Sequence, residues 1–433
     1  MAYGPRRLRI AFTGKHLTHF GGLFLVQQFF QRLRLRQALT WAVRIPQRNT
    51  RYSTSEMILA LLYPTLAGLG RIEATGILQQ NGVFRYLTGL QRYPNAVTLR
   101  RFLSRFARHG LTPLLKFHDG LRQRMLASPH HAVFDLDTTV LTVYGRQQGA
   151  RVGYNPKKRG RPSYLPLLCF EGITRDLWEG SFHPGNAHPV PLAFEMLTRA
   201  LAKLPPTVRE VRVRADAAFF DGDLIEFLQG RRVRYAIVAR LTSPLKARLG
   251  GLRFHRVAGE LAVAECSYQP MKWKQPARFI VIRRPVPEEP SWQLSLFKLE
   301  GFSYQVLVTN LTLTPDRVWR FYNDRAEAEL VIRELKEAYA LGKIPTRDWD
   351  ANVAYFHLVC LAYNLLNWFK RLCLPEPFTR ASLVTIRTKL LAIPAELVRP
   401  HGVPTLKLPT SFRYRKLFNT ALRRIHRLKP PPA

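Results

Sequence analysis

The chain has 433 residues and carries 67 Lys and Arg residues against 29 Asp and Glu residues, which leaves a net charge of +38. So large a positive charge indicates a polyanionic partner, with nucleic acid favoured over an anionic membrane surface. The hydrophobic fraction of 46% excludes a disordered basic tail, and the longest apolar run, Met57–Gly70, is shorter than the roughly 20 residues that span a bilayer.

Residues 1–125 predict a helical domain that binds DNA. Residues 1–130 hold 20 Lys and Arg residues against three acidic residues. Ser53 and Glu56 have the spacing of a capping box, directly in front of the long apolar run, which indicates the start of a helix.

An amphipathic helix is predicted at Thr98–Arg108. Its apolar residues recur at helical spacing, and its arginines lie largely off the apolar stripe. Such an arginine face either enters a DNA groove or is a solvated helix surface, and the sequence leaves both interpretations open. The candidate DNA contacts on this helix are Arg100, Arg101 and Arg105.

From residue 126 the pattern changes to alternating strands and helices. Three predicted strands are followed by a helix, a strand, a helix and a strand, at Ala132–Tyr144, Leu165–Ile173, Leu177–Phe182, Val190–Leu204, Val208–Ala215, Asp221–Gln229 and Tyr235–Leu241. This order predicts an α/β fold with an RNase H-like catalytic core, of which residues 126–241 are the first part.

The rest of the chain is divided into three further segments. Residues 242–312 predict a β-rich insertion that interrupts the core, with a loop at Pro285–Ser291. Residues 313–375 are strongly helical and form the second part of the core. Residues 376–433 are a basic C-terminal region with a predicted helix at Phe412–Leu428.

Two segments of the predicted core carry isolated carboxylates. In FDLDTTV, Asp135 and Asp137 lie on one face of a predicted strand, where a buried carboxylate needs a cation or a metal. An Asp that caps a turn through Thr138 is the alternative. In VRVRADAAFF, Asp216 ends a predicted strand, which is a usual place for active-site residues but equally for turn formers.

The sharpest pattern is the stretch YNDRAEAELVIRELK. If it forms one helix, Arg325, Glu329 and Lys336 lie at about −60°, −20° and −40° relative to Tyr322, on one narrow face. A carboxylate flanked by two cations and a phenol suits a metal ligand beside a phosphate backbone. A salt-bridged surface helix is the alternative. The spacings from Asp137 to Asp216 and on to Glu329 are 79 and 113 residues.

These residues resemble the DDE transposases of bacterial insertion sequences, in the group with a Tyr-x2-Arg-x3-Glu-x6-Lys signature. The stretch YNDRAEAELVIRELK matches that spacing in full. The group places its first catalytic Asp before a Thr on the first strand and its second at the end of a later strand, which match Asp137 and Asp216. Thr309–Leu311 and the segment GYNPKKRGRPSY, residues 153–164, also resemble this group, and the resemblance covers roughly residues 90–370.

The resemblance implies a metal-dependent active site. Asp137, Asp216 and Glu329 would be the catalytic residues and would hold two Mg²⁺ ions, with Mn²⁺ as a substitute. One metal would activate water or a DNA 3′-hydroxyl, and the other would stabilise the leaving oxygen, in an in-line phosphoryl displacement.

Further residues are predicted to contact DNA around this centre. The resemblance implies that Arg325 and Lys336 hold backbone phosphates and that Tyr322 lies near the scissile strand. A basic segment adds Lys157, Lys158, Arg159 and Arg161. Its RGRP core resembles a minor-groove AT hook, and a loop between strands that touches phosphates is the interpretation we favour.

The sequence therefore predicts a transposase that binds the terminal inverted repeats of an insertion sequence and then cuts and rejoins DNA. The resemblance implies that a homodimer brings two element ends and target DNA together in a synaptic complex. A non-transposing nuclease on the same fold and a non-catalytic basic DNA-binding protein are the alternatives. Four cysteines without a CxxC pair indicate a reducing compartment. The resemblance implies a bacterial protein, so we expect a cytoplasmic, nucleoid-associated location, without a signal peptide or membrane partner.

Overall fold

The computed structural model describes residues 10–46, 51–126, 129–285, 297–299 and 301–429. From residue 286 on, the predicted loop Pro285–Ser291 lies outside these residues. None of the described helices is long and apolar enough to cross a membrane. The chain divides into two compact units. Unit 1 comprises Met1–Phe117, Ala338–Pro345 and Leu365–Ala433, and unit 2 comprises His118–Glu337 and Thr346–Asn364.

The N-terminal part of the chain is helical, as predicted. Its elements are β1 (Leu17–Thr18), α1 (Leu23–Arg32), α2 (Leu35–Ala42), α3 (Thr54–Ala67), a 3₁₀ helix (Glu73–Gln79), α4 (Gly82–Thr88), α5 (Ala96–Ser104), α6 (Phe106–His109) and α7 (Thr112–Met125). The capping box is confirmed, because the Ser53 hydroxyl accepts from the Glu56 N–H at 3.2 Å and the Glu56 carboxylate accepts from the Ser53 N–H at 2.9 Å. The predicted helix at Thr98–Arg108 is broken at Arg105 into α5 and α6.

The middle of the chain alternates strands and helices. Its elements are β2 (His131–Thr138), β3 (Leu141–Thr142), β4 (Arg151–Val152), β5 (Pro162–Tyr164), β6 (Leu167–Glu171), β7 (Leu177–Ser181), α8 (Pro189–Ala202), β8 (Glu210–Ala215), a 3₁₀ helix (Ala217–Phe219), α9 (Gly222–Gly230) and β9 (Arg234–Val238). The predicted succession of three strands, helix, strand, helix and strand is confirmed in β2, β6, β7, α8, β8, α9 and β9. A small sheet in the order β3-β5-β4 was not predicted.

The remaining elements include seven strands and the signature region. They are α10 (Ser243–Leu249), β10 (His255–Ala258), β11 (Leu261–Tyr268), β12 (Ala277–Pro285), β13 (Phe297–Leu299), β14 (Phe302–Thr309), α11 (Pro315–Asn323), α12 (Ala326–Glu337) and α13 (Trp349–Cys373). They continue with α14 (Glu376–Thr379), α15 (Leu383–Ile386), a π-helical turn (Arg387–Leu391), β15 (Ala395–Val398), a 3₁₀ turn (Pro400–Gly402), β16 (Thr405–Lys407) and α16 (Arg415–Arg427).

Unit 2 is built on one mixed sheet. Its strand order is β10-β11-β12-β14-β9-β8-β2-β6-β7, with β13 paired to β14. Strands β2, β8 and β9 are parallel to one another, whereas β6, β7 and β14 pair with their neighbours in antiparallel fashion. Because β14 pairs directly with β9, the strands of residues 242–312 extend the core sheet instead of forming a layer of their own.

The two faces of this sheet have different coverings. Phe134 and Leu136 of β2 are fully buried in a cluster with apolar residues of α8 and α9. Val318 of α11 belongs to a second cluster. Along β9, β12 and β14, the residues of this second cluster alternate with residues of the first. Since successive side chains of a strand point to opposite faces, Asp135 and Asp137 project on the α11 side.

Unit 1 combines the N-terminal helices with the C-terminal region. Phe29 of α1 makes an edge-to-face contact with Phe369 of α13, with 5.6 Å between ring centroids, and α16 packs against α1. The tertiary structure also partitions the charge. Unit 1 holds 33 Lys and Arg residues against 4 acidic residues, a net charge of +29, whereas unit 2 holds 34 against 25, a net charge of +9. The predicted segments 1–125 and 376–433 thus contribute to one highly basic body.

Candidate active site

A buried ion pair joins the two strands that carry the predicted aspartates. Asp135 on β2 and Arg214 on β8 are cross-strand neighbours, and each side chain is only 3% exposed. Arg214 donates through Nε and Nη2 to the two carboxylate oxygens, at 2.5 Å and 2.8 Å. Its Nη1 donates to the carbonyl of Phe321, near the end of α11, at 2.7 Å. The pair ties β2, β8 and α11 together, two residues before Asp137 and two before Asp216.

Arg325 brings two of the predicted catalytic carboxylates together. Its guanidinium lies 2.9 Å from the Asp137 carboxylate and 2.7 Å from the Glu329 carboxylate. The Arg325 side chain is 3% exposed, that of Asp137 is 13% exposed and that of Glu329 is 62% exposed. A buried carboxylate needs a cation, and Arg325 meets that need here. The structure therefore places Arg325 with the carboxylates, not on an accessible surface for phosphates as expected.

Asp216 lies at the carboxyl end of β8, beside the end of its parallel neighbour β2. Its carboxylate accepts from the Ala218 N–H at 3.0 Å and so caps the 3₁₀ helix that follows. The capping role that the sequence left open is thus real. It is compatible with a functional role, because the carboxyl ends of adjacent parallel strands are where open α/β sheets place their sites.

The three predicted carboxylates are electrostatically coupled. Burial raises the pKa of Asp137 to about 7, Arg325 opposes the rise, and the charges of Asp216 and Glu329 add to it. Burial also raises the pKa of Tyr322 to about 12, and the same three carboxylates influence that phenol. Residues that lie 79 and 113 positions apart in the chain therefore share one neighbourhood in unit 2.

The signature residues lie on two helices, so the prediction of one common helix is wrong. Tyr322 belongs to α11, Glu329 and Lys336 belong to α12, and Arg325 lies in the turn between them. The Arg325 N–H donates to the Tyr322 carbonyl at 3.0 Å, three residues back instead of the four of an α-helix. Tyr322 is 7% exposed in the cluster under α11, where it packs against the sheet.

Lys336 is bound to the chain just after β2 and is influenced by one residue of the basic segment. Lys336 Nζ donates to the Val140 carbonyl at 3.0 Å, just beyond that strand. Burial lowers the pKa of Lys336, and the charge of Lys157 lowers it further. The segment forms the exposed loop between β4 and β5, with exposed cations at Lys157, Lys158, Arg159 and Arg161. The favoured interpretation of a basic loop between two strands is thus what the structure contains.

The three arginine candidates of unit 1 differ in accessibility. Arg100 Nε donates to the Pro345 carbonyl at 2.9 Å, and the Arg100 guanidinium is ion-paired with Glu73. Arg105 is half-buried, whereas Arg101 is exposed. Arg100 is therefore engaged within unit 1, and Arg101 keeps the accessible position that a DNA contact needs.

Sequence reasoning missed two arginines that position this site. Arg214 is one, and the alternation of VRVRA could have revealed it as a cation facing Asp135 across the strands. Arg175 is the other. Its Nε donates to the Glu327 carboxylate at 2.6 Å, which ties the first turn of α12 to the turn after β6. No sequence signal links Arg175 to Glu327, because 152 residues separate them.

A divalent-metal site is not preassembled in this structure. Across the described ranges, from residue 10 to residue 429, no three His, Cys, Asp or Glu side chains lie close enough together to hold one ion. The Arg325 guanidinium lies between Asp137 and Glu329 instead. The predicted set of three metal ligands therefore stays a prediction.

Comparison with known proteins identifies the family. None of the curated proteins matches the chain. Among solved structures, the chain is similar to the piggyBac transposase in a cryo-EM structure of its synaptic complex with hairpin DNA, at 12% sequence identity and a TM-score of 0.45, over 97% of this chain and 85% of that one. Residues 2–430 match the family model described as Transposase DDE domain group 1. Because that match extends over nearly the whole chain, the protein belongs to this family of DDE transposases.

Proposed function

We propose that the protein binds the terminal inverted repeats of a bacterial insertion sequence and catalyses metal-dependent DNA strand cleavage and strand transfer. One observation carries the proposal: Asp137 and Glu329 converge on one buried guanidinium, with Asp216 close enough to shift the Asp137 pKa. The family match supports the transposase class, and the net charge of +38 supports double-stranded DNA as the partner. The bacterial cytoplasm, at the nucleoid, is the proposed location.

We also propose that β7-β6-β2-β8-β9, with α8 and α9, is an RNase H-like core. The support is the strand order together with the strand directions, since β2, β8 and β9 are parallel and β6 is antiparallel to β2. A homodimer in a synaptic complex belongs to the same proposal, because two element ends must be joined to one target.

A divalent cation fits the chemistry of these residues. Three carboxylates are hard oxygen donors of the kind that Mg²⁺ prefers. Burial raises the pKa of Asp137 to about 7, and the charges of Asp216 and Glu329 add to the rise although Arg325 opposes it. A further cation would stabilise the charged carboxylate under these conditions. Asp137, Asp216 and Glu329 would hold the metal, which supplies charge neutralisation and an activated oxygen nucleophile for in-line attack on a phosphodiester.

The other residues of the site orient and bind. Arg214 and Asp135 hold β2 and β8 in register, so that the ends of both strands present their carboxylates at one place. Lys336 anchors α12 to the chain just after β2. Lys157, one of the exposed cations between β4 and β5, is close enough to Lys336 to lower its pKa, and these cations would bind backbone phosphates.

DNA cleavage should require Mg²⁺ or Mn²⁺, whereas DNA binding should persist in EDTA. The reason is that the carboxylates would hold the metal that cleavage needs, whereas cationic side chains would bind the DNA phosphates without a metal. The measurement is nicking of a supercoiled plasmid that carries the native flanking repeats, beside a gel-shift assay, each with and without EDTA. Equal cutting in excess EDTA contradicts the metal mechanism. Joined products distinguish a transposase from a nuclease that only cuts.

Arg325→Gln should destabilise the metal-free protein by about 3 kcal/mol, because removing one partner of a buried ion pair leaves an uncompensated charge. Millimolar Mg²⁺ should then raise the unfolding temperature of this variant more than that of the wild type. Two carboxylates that have lost their guanidinium bind a divalent cation more tightly, and a ligand of the folded state stabilises it.

The control for Arg325→Gln is Arg333→Gln, the same charge change at an exposed position of α12. It should leave the Mg²⁺-dependent shift at the wild-type value. If Mg²⁺ shifts Arg325→Gln and wild type equally, then Asp137 and Glu329 are not a cation site.

A further inference from the structure

A second basic surface lies on the outer face of α16, in unit 1. Four apolar residues of this helix are buried, at Leu417, Phe418, Ala421 and Ile425. Helix geometry centres them at about 155° from Lys416, whereas Arg423 and Arg427 lie within about 20° of it. Lys416, Arg423 and Arg427 are all exposed, and we call these three residues the α16 stripe. The stripe faces directly away from the packing surface.

The composition of this helix is unfavourable for a helix in isolation. No acidic residue occurs from residue 397 to residue 429, so intrahelical ion pairs with carboxylates are absent by composition. Arg415 and Lys416 are in the first turn, where the helix dipole disfavours cations. Arg423 and Arg427 are four residues apart, a spacing at which like charges repel.

A plain solvated helix face does not account for this arrangement. Cations near the C-terminal end of a helix are favoured by the dipole, which would explain Arg427 but not Lys416. The stripe also belongs to a body with a net charge of +29, so the repulsion is not local to α16. A polyanion bound along the stripe would offset both the repulsion between these cations and the unfavourable effect of the helix dipole on Lys416.

We propose that the α16 stripe binds the phosphate backbone of double-stranded DNA without regard to base sequence. The inference rests on the proposed DNA partner and adds a site to it. The helix rise separates Lys416 from Arg423 by about 10 Å and Arg423 from Arg427 by about 6 Å. One DNA strand presents a phosphate every 3.4 Å or so along the axis, so three different phosphates are within reach of a helix lying along the backbone.

The test is the variant Lys416→Gln/Arg423→Gln/Arg427→Gln in the full-length protein. Its affinity for repeat-bearing DNA and for random DNA of equal length is measured by gel shift over a range of salt. We expect the slope of log K against log salt to become shallower by about 2.7, at about 0.9 per lost phosphate contact, equally for both DNAs. Between about 1 M and 0.1 M salt, a slope difference of about 2.7 corresponds to a loss of affinity of about 500-fold at the lower salt concentration.

The matched control removes the same charge elsewhere. Arg209, Arg253 and Arg256 are exposed residues of unit 2, and their triple substitution by Gln should change the slope far less. Circular dichroism and thermal unfolding establish that both variants are folded. Equal slopes for the two triple variants would overturn the inference, as would a loss confined to repeat-bearing DNA.

Three further outcomes have distinct meanings. If the stripe variant loses binding to phosphatidylserine vesicles and keeps its DNA affinity, the stripe is a membrane surface and the inference is wrong. If the wild-type protein binds neither DNA, the proposed DNA partner itself fails. If wild type binds both DNAs and the stripe variant binds them equally well, the proposed function stands and the α16 site alone is rejected.

Discussion

Glu329→Gln is expected to abolish DNA cleavage while folding and DNA binding persist. Glu329 is 62% exposed and is paired with Arg325 at 2.7 Å. If this pair were only a surface salt bridge, losing it would cost less than about 1 kcal/mol and would leave cutting nearly intact. If the carboxylate holds a catalytic metal, losing about 4 kcal/mol of transition-state stabilisation slows cleavage by about 1000-fold.

Glu337→Gln is the matched control for Glu329→Gln. Glu337 is the last residue of α12 and is exposed, so its substitution makes the same charge change on the same helix. Glu327→Gln is less suitable, because Glu327 is bound to Arg175 and its loss would disturb the first turn of α12. Plasmid cleavage and gel shift are measured for both variants. Similar cleavage by Glu329→Gln and Glu337→Gln would rule out Glu329 as the third catalytic carboxylate.

Asp137→Asn and Asp135→Asn are expected to have opposite effects. Asp135 forms a buried two-point contact with Arg214, so Asp135→Asn should cost about 3–5 kcal/mol of stability. The folded fraction of that variant should still cleave DNA measurably. Asp137→Asn should leave the metal-free protein folded but eliminate cleavage. Urea unfolding measures the loss of stability, and plasmid cleavage is measured at a temperature where both variants are folded. The reverse pattern would identify Asp135 instead of Asp137 as the metal ligand.

The pH dependence of stability provides a second readout on Asp137. Its pKa is about 7 in the folded protein and lies above the ordinary value of 3.8, so the folded state binds the proton more tightly. Without metal, the Asp137 contribution therefore weakens the folded state as pH rises from about 4 to about 7. Asp137→Asn removes this pH-dependent contribution. In EDTA, the unfolding free energy of the variant should therefore fall less than that of the wild type between about pH 4 and about pH 7. Identical pH profiles for variant and wild type would show that Asp137 is not buried as described.

Local patterns in the sequence predicted much of this protein. The capping box at Ser53 and Glu56 and the strand order from β2 to β9 depend on residues near one another in the chain. Backbone periodicity makes such features readable from sequence. The spacing that links Tyr322 to Lys336 is likewise local, and it indicated a DDE transposase, the broader class to which the matching family belongs.

Long-range contacts could not be predicted in the same way. The sequence placed Arg325 on phosphates, but burial beside Asp137 and Glu329 makes it their counter-ion. The sequence also predicted Arg100 as a DNA contact, whereas in the structure the Arg100 side chain is bound to Glu73 and to the Pro345 carbonyl. These partners follow from which elements pack together, and packing is decided by the whole chain.

The sequence by itself determined the total charge, the kinds of elements and the identity of the three candidate carboxylates. The tertiary structure alone decided that two of those carboxylates, Asp137 and Glu329, meet at the Arg325 guanidinium and that unit 1 carries +29 of the +38 charge. The physical reason is that chain folding joins distant segments through buried apolar surface, as α16 joins α1. The charges and carboxylates on those segments are carried into new neighbourhoods that no local pattern encodes.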